Sequence, residues 1–378
     1  MTEPVRPSVY VHIPFCRRRC PYCAFVSTVP EAGQTEGYLA ALAAELERRA
    51  GMIPPGGAET IYVGGGTPTL PGEEWLKECL ALIRRHAYGP STCEWSVESL
   101  PGCITPALAG VCADSGVTRV TLGVQSLDPE VLAGIGRADQ LAAFWKSVEI
   151  LRAAGIEAIG ADLILGLPGE RIDRFRDGVE RLIDAGIPHI SAYMLYLETG
   201  SPWAGRQREA PDWMVRRLYT ALAQRLARAG YQQYEVSNFA LPGFSCRHNL
   251  GTWEGRDLAG FGLAAVGTVS AGHGARVRRQ NTLDLLQYLE DPLSGYAEEY
   301  LSPSDLYNEH LMLGLRSQIG LRLDCGFAER YGQSSAGLRD RLEGFFRAGL
   351  LRKTADRWQT TRRGTLWLDS ILVELFCK

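Results

Sequence analysis

No stretch of the 378 residues reaches eighteen consecutive apolar side chains, so no membrane-spanning helix is expected. Charge of one sign is equally scarce. The 40 Lys and Arg face 43 Asp and Glu, a net charge of -3, which leaves no field to attract nucleic acid or an anionic membrane surface. The opening MTEPVRPSVY lacks the basic start, the apolar run and the small-residue cleavage site of a secretory leader. A cytoplasmic protein is therefore expected, one whose thiols stay reduced.

Against these absences stand a 46% hydrophobic content, enough for two cores, and ten cysteines. Three of them, Cys16, Cys20 and Cys23, fall within eight residues of VHIPFCRRRCPYC, while the other seven are scattered. In a reducing compartment the cluster points to metal or catalysis, and the single cysteines to burial.

From residue 8 to about 196, short β-branched runs alternate with amphipathic stretches, the pattern of a parallel sheet wrapped by helices. Strands are expected at 9–13, 60–63, 94–98, 119–125, 158–165 and 189–195, and helices at 36–50, 72–86, 105–115, 140–154 and 172–185. Gly51, Gly116, Gly155 and Gly186 stand where helices would end. The fold class is α/β: a partial (β/α)6 barrel with its chemistry at the strand C-termini. We read residues 1–235 as the barrel, 236–300 as a connecting segment holding a CRHN motif and a glycine-rich stretch, and 301–378 as a smaller helical, winged-helix-like domain. Arg352, Lys353, Arg357, Arg362 and Arg363 in that tail read as a solvated surface, and nucleic acid is not expected as a partner.

Three thiolates on one tight loop are one ligand short of structural zinc, and no second CxxC pair exists to complete it. An iron–sulfur cluster can be held by three cysteines when its last iron takes an outside ligand. Zinc, and a reduced thiol group without function, are the competing readings. The glycines of GGGTP after the second strand, residues 64–68, would let backbone amides approach a ligand closely. Glu98, Gln125 and Asp162 fall late on their strands, toward one barrel mouth. An acid inside the apolar run 159–165 is unfavourable unless Asp162 meets a ligand, a backbone donor or a cation. The plainer alternative is that Asp162 caps a loop and Arg137 pairs with a neighbour.

CxxxCxxC after a first strand resembles the radical S-adenosylmethionine (SAM) superfamily. In order along the chain, YVHIPFC with CPYC, GGGTPTL, LGVQSLD, ADLILGLPGE, ISAYMLYLETGSP, YEVSNFA, CRHN and EHLMLGLR are similar to the oxygen-independent coproporphyrinogen III oxidase-like family, in its HemW heme-chaperone branch. That resemblance implies a [4Fe-4S] cluster on Cys16, Cys20 and Cys23 with SAM at the fourth site. It implies an aromatic, Tyr10, beside cluster and SAM, with Phe25 following the third cysteine. Gly65, Gly66 and Thr67 would meet the methionine amino group, and Glu98, Gln125, Arg137 and Asp162 would line the SAM pocket. Heme is the implied cargo and acceptor hemoproteins the implied partners, with a flavodoxin or ferredoxin as electron donor if SAM is cleaved to a 5′-deoxyadenosyl radical.

The chain departs from the family pattern at Ala24, Leu100, Asp139 and Thr252. His248 is left as a heme ligand or a hydrogen-bonded structural residue, and Cys246 as a second soft donor. Phe25 stands where the true oxidase has a fourth cysteine, and no sizeable segment precedes Tyr10, so coproporphyrinogen decarboxylation is disfavoured. A heme chaperone leads. A methyltransferase or cyclopropanase using two SAM molecules follows, and a non-catalytic scaffold comes third.

Overall fold

Along the first four strands, apolar side chains alternate with polar or small ones, and the two sets serve opposite faces. A computed structural model describes residues 6–377, apart from 207–208, 273, 324–326, 334 and 355. The first five positions, part of the stretch read above as carrying no leader, lie outside the described residues. The strands are β1 (Ser8–Ile13), β2 (Thr60–Gly65), β3 (Glu94–Ser99), β4 (Arg119–Gln125), β5 (Ala158–Leu165) and β6 (His189–Met194). All five neighbouring pairs are parallel.

Val9, Val11, Ile61, Val63, Trp95, Val97, Val120 and Leu122 are buried in the main core, which lies between the sheet and helices that include Gln34–Arg48, Glu73–Ala87, Pro106–Ser115 and Gln140–Ala153. The intervening residues turn inward. They are polar or small: Ser8, Tyr10 and His12 on β1, Thr60, Tyr62 and Gly64 on β2, Glu94, Ser96 and Glu98 on β3, Arg119, Thr121 and Gly123 on β4. The apolar face thus builds the fold and the polar face is left for a site. Gly116, Gly155 and Gly186 follow their helices with positive φ. Gly51 does not: the first helix stops at Arg48, and Gly51 sits within a 3-10 turn, Ala50–Met52.

The expected connecting segment is the main correction. Residues 236–300 extend the barrel sheet on both sides. After the two-residue β7 (Gln232–Gln233), β8 (Asn238–Ala240) pairs antiparallel with β6, and β9 (Leu258–Phe261) pairs parallel with the free edge of β1. Then β10 (Val266–Ser270), β11 (Arg276–Gln280) and β12 (Ala297–Tyr300) continue outward, giving twelve strands in the order β12-β11-β10-β9-β1-β2-β3-β4-β5-β6-β8-β7. β11 and β12 are joined by charge across the strands, Arg278 to Glu299 at 3.1 Å and Arg279 to Glu298 at 3.6 Å. A second core, around Leu311, Leu342, Trp358 and Leu372, belongs to the C-terminal part. There helices Pro303–Arg316, Ser335–Arg347 and Leu368–Leu375 accompany a small sheet of β13 (Leu321–Arg322), β14 (Leu351–Thr354) and β15 (Arg357–Thr360). Among the described residues no helix is long and apolar enough to cross a membrane.

Candidate cofactor site at the barrel mouth

The three-cysteine loop leaves the C-terminal end of β1 and is pinned at both ends by backbone. Cys16 N–H donates to Thr28 O and Thr28 N–H to Pro14 O, both at 2.8 Å. His12 sits beneath. Its Nε2 lies 2.8 Å from Val26 O, so that nitrogen carries the proton, and Nδ1 accepts from the Tyr10 hydroxyl at 3.0 Å. Burial holds this imidazole neutral by lowering its pKa. The neighbouring glycine turn is threaded into the same loop, with Gly66 N–H donating to Ile13 O and Thr67 N–H to Phe15 O. A Cβ on Gly66 would lie 2.6 Å from Phe15 O and 3.0 Å from Cys16 Sγ, and one on Gly65 would strike the His12 ring. Gly66→Ala is therefore expected to displace the cysteine loop, lowering iron occupancy and stability together, the latter by about 1–3 kcal/mol. Urea unfolding beside Gly51→Ala, whose added methyl meets nothing within 4 Å, checks this.

Cys16, Cys20 and Cys23 open onto a cavity of about 920 Å³, with Gly65, Gly66, Thr67, Glu98, Gln125, Arg137 and Asp162 in its wall. Among the described residues no three His, Cys, Asp or Glu side chains converge as the ligands of a single ion must, whereas a cluster spreads its thiolates over several irons. Arg137 ties the cysteine loop to β4, one guanidinium nitrogen donating to Gly123 O at 2.8 Å and another to Cys20 Sγ at 3.2 Å. The contact sets a fixed positive charge against the loop that would carry an anionic cluster. Gln125 ends β4 at a bulge with φ of 72°, its amide nitrogen folded against Gly123. A side chain with positive φ is strained.

Glu98 and Asp162 share the cavity floor. Glu98 accepts from the Tyr62 hydroxyl at 2.7 Å and from Gly65 N–H at 3.0 Å, in room cleared by Gly64. Asp162 lies beside the Ser191 hydroxyl, and its Oδ1 is buried without a partner. The Thr67 hydroxyl, 1% exposed, lies near the Cys16 thiol without a hydrogen bond of normal geometry. Burial raises both carboxyl pKa values, Asp162 to about 7, and the Glu98 charge adds to the rise at Asp162. Neither forms an ion pair among the described residues. The donor set fits a thiolate-held cluster beside a cationic ligand, because the thiols, the orphaned oxygens and the unpaired acids all face one space.

The sign of the pH effect follows from Asp162. Its folded pKa lies above its usual 3.8, so the folded chain keeps a proton the unfolded chain has lost. Stability falls from about pH 4 to about pH 7 and then levels, by on the order of 2–4 kcal/mol for this group. Glu170 and Glu235, also raised to about 7 by burial, act in the same direction. Cluster-free protein should melt lower at pH 8 than at pH 5.5, and Asp162→Asn should narrow that gap in thermal unfolding.

The family model described as "Radical SAM superfamily" matches residues 10–182, and "HemN C-terminal domain" matches residues 301–367. The sequence is 36% identical over 373 residues to the heme chaperone HemW of Mycobacterium tuberculosis, covering 96% of this chain and 93% of that one. It is 32% identical over 340 residues to the protein of the same name from Lactococcus lactis, with 86% and 87% covered. The chain belongs to the HemW branch of the radical SAM superfamily. Its backbone also matches the structure of coproporphyrinogen III oxidase (HemN) from Escherichia coli, with a TM-score of 0.82 at 22% identity over 98% of this chain and 90% of that one, a likeness of fold.

Two residues singled out from the sequence do not reach this radical SAM cavity. Tyr10 stands at the third position of β1, below the cavity, stacked on Tyr62 with ring centroids 6.2 Å apart. His248 lies at the opposite end of the barrel, buried, its Nδ1 2.9 Å from the Thr60 hydroxyl and its ring against Tyr62. Burial lowers its pKa to about 4. The CRHN segment forms helix Arg247–Trp253, whose N-terminus is capped from afar: Glu94 accepts N–H bonds from Arg247 at 3.1 Å and His248 at 3.0 Å, and the Cys246 thiol at 3.2 Å. Arg119 completes the plug by pairing with Glu94 and donating to Phe244 O and Ser245 O.

The cavity also gathers residues that sequence reasoning passed over, namely Arg17, Arg18, Cys103, Tyr193, Met194 and Tyr196. The expectation that single cysteines are buried fails for Cys93, which is exposed, and for Cys103 and Cys377, which are partly so. Cys103 follows the tight turn Leu100-Pro101-Gly102, and only that unusual turn hinted at it.

Proposed function

We propose that the chain is a heme chaperone that holds a [4Fe-4S] cluster on Cys16, Cys20 and Cys23, binds SAM at the remaining iron and passes heme to acceptor hemoproteins in the cytoplasm. When bound, the cluster supplies one-electron chemistry toward SAM, with a flavodoxin or ferredoxin as the donor if that step is used. The observation that carries the cofactor reading is the pair of unpaired acids, Glu98 and Asp162, in a cavity walled by three thiols. SAM brings a sulfonium and an ammonium cation, and such charge would restore ionisation to both carboxyls. The Thr67 hydroxyl, which lacks a partner, and the backbone of Gly65 and Gly66 would border its polar end. Arg137 would orient Cys20 against the cluster, and Phe25 would border the adenosyl side. The heme reading is supported by the named relatives. Anaerobically reconstituted protein should show a stoichiometric Soret band on heme titration and hand that heme to an apo-hemoprotein. A titration no different from an albumin control would sink it.

A second reading is favoured by Leu100 and Asp139, which depart from the family pattern and both stand in the cavity wall. An enzyme using two SAM molecules would, when reduced, release S-adenosylhomocysteine with a methylated product.

A further inference from the structure

The cavity is larger than its floor needs. At about 920 Å³ it stands near the top of the roughly 300–1,000 Å³ of small-molecule sites, and its rim is of different character from its base. Phe25 is 65% exposed, Tyr196 71% and Met194 40%, three large apolar side chains left in water around one opening. Contiguous exposed apolar surface of this kind marks a binding site. Beside them Arg17 and Arg18 are exposed, and neither is held by an ion pair among the described residues. The wall also holds Asp139 and Glu198, and the Arg18 guanidinium lies against Gly136, but neither acid forms an ion pair with Arg17 or Arg18 among the described residues.

The described histidines are all elsewhere. His12 and His248 are locked beneath the floor, His189 is bonded to Tyr234 at the base, His86 lies on the outer helix Glu73–Ala87 and His310 in the C-terminal part. What the wall offers to iron is sulfur or phenol, from Cys103, Met194 and the tyrosines.

We propose that the tetrapyrrole binds at this rim, its ring against Phe25, Met194 and Tyr196 and its two carboxylates on Arg17 and Arg18, and that the histidine segment under the barrel takes no part in ligation. The proposal rests on the heme-chaperone reading and says where the cargo sits. A flat apolar ring with two adjacent carboxylates matches an aromatic lip beside paired guanidinium groups, which bind carboxylates in bidentate fashion. Cargo and cluster then share one loop, residues 16–25.

The test uses full-length, cluster-reconstituted protein titrated with hemin and, separately, with hemin dimethyl ester, followed by Soret absorbance. Arg17→Glu with Arg18→Glu is expected to weaken hemin binding by about tenfold or more and to abolish any preference for the free acid over the ester. Tyr196→Glu, outside the cysteine loop, should weaken hemin binding to a similar degree with iron content unchanged. His248→Gln should bind as the wild type does. Unchanged affinity in both rim variants, or lost binding in a His248→Gln protein that keeps its iron and its circular dichroism, would overturn the site. Absence of binding by the wild type would instead remove the heme reading itself.

Discussion

Cys20→Ser protein, reconstituted anaerobically, is expected to retain little iron or acid-labile sulfide and to lose saturable SAM binding, while its fold survives. The effect on metal is near total because two thiolates cannot hold a cluster that already lacks a fourth protein ligand. The fold is spared because the cysteine loop is anchored by backbone bonds of Cys16, Thr28, Gly66 and Thr67 and by His12, none of which involves the Cys20 side chain. Arg137 loses its sulfur contact but keeps Gly123 O. Iron and sulfide assays, with a melting curve of the cluster-free variant beside that of cluster-free wild type, separate the two effects. A variant that binds iron like the wild type would refute the ligand assignment.

Glu94→Leu should have the largest effect on stability, about 3–5 kcal/mol, because it breaks a buried ion pair from one side. Glu94 and Arg119 are respectively 5% and 3% exposed, and the carboxylate also receives two helix N–H groups and a thiol. Its loss leaves a guanidinium unpaired at the barrel base and strips the cap from helix Arg247–Trp253. A clear fall in the urea midpoint is expected, with the segment 244–253 becoming more open to proteolysis. Replacing Glu94 and Arg119 together with apolar residues should recover part of the loss, since the deficit comes largely from the stranded charge.

The barrel strands were legible because their outer faces are continuous Val, Ile and Leu: β4 and β5 fall on the residues expected, 119–125 and 158–165. The outer strands β10–β12 were not, since β11 reads RVRRQ and is held by cross-strand ion pairs, which leave no apolar period to detect. Their complementarity lies in Arg278 and Arg279 of β11 facing Glu299 and Glu298 of β12. Glu98 and Asp162 were legible as acids in apolar runs, and Gln125 as a polar strand end. The placement of His248 was not, because a CRHN word carries no sign of which barrel end it faces. That depends on Glu94, some 150 residues away in sequence. The rim arginines and aromatics read as ordinary surface until the fold set them around one opening.

The parallel pairing of β9 with β1 has a consequence for the order of events in the cell. Residues 8–11 of the strand that launches the cysteine loop acquire their second neighbour only when residues 258–261 arrive. Synthesis runs from the N-terminus at about 5–20 residues per second, so the first strand made waits through some two-thirds of translation with one edge open. The strand that launches the iron-binding loop is thus flanked on both sides only after some two-thirds of the chain has been made.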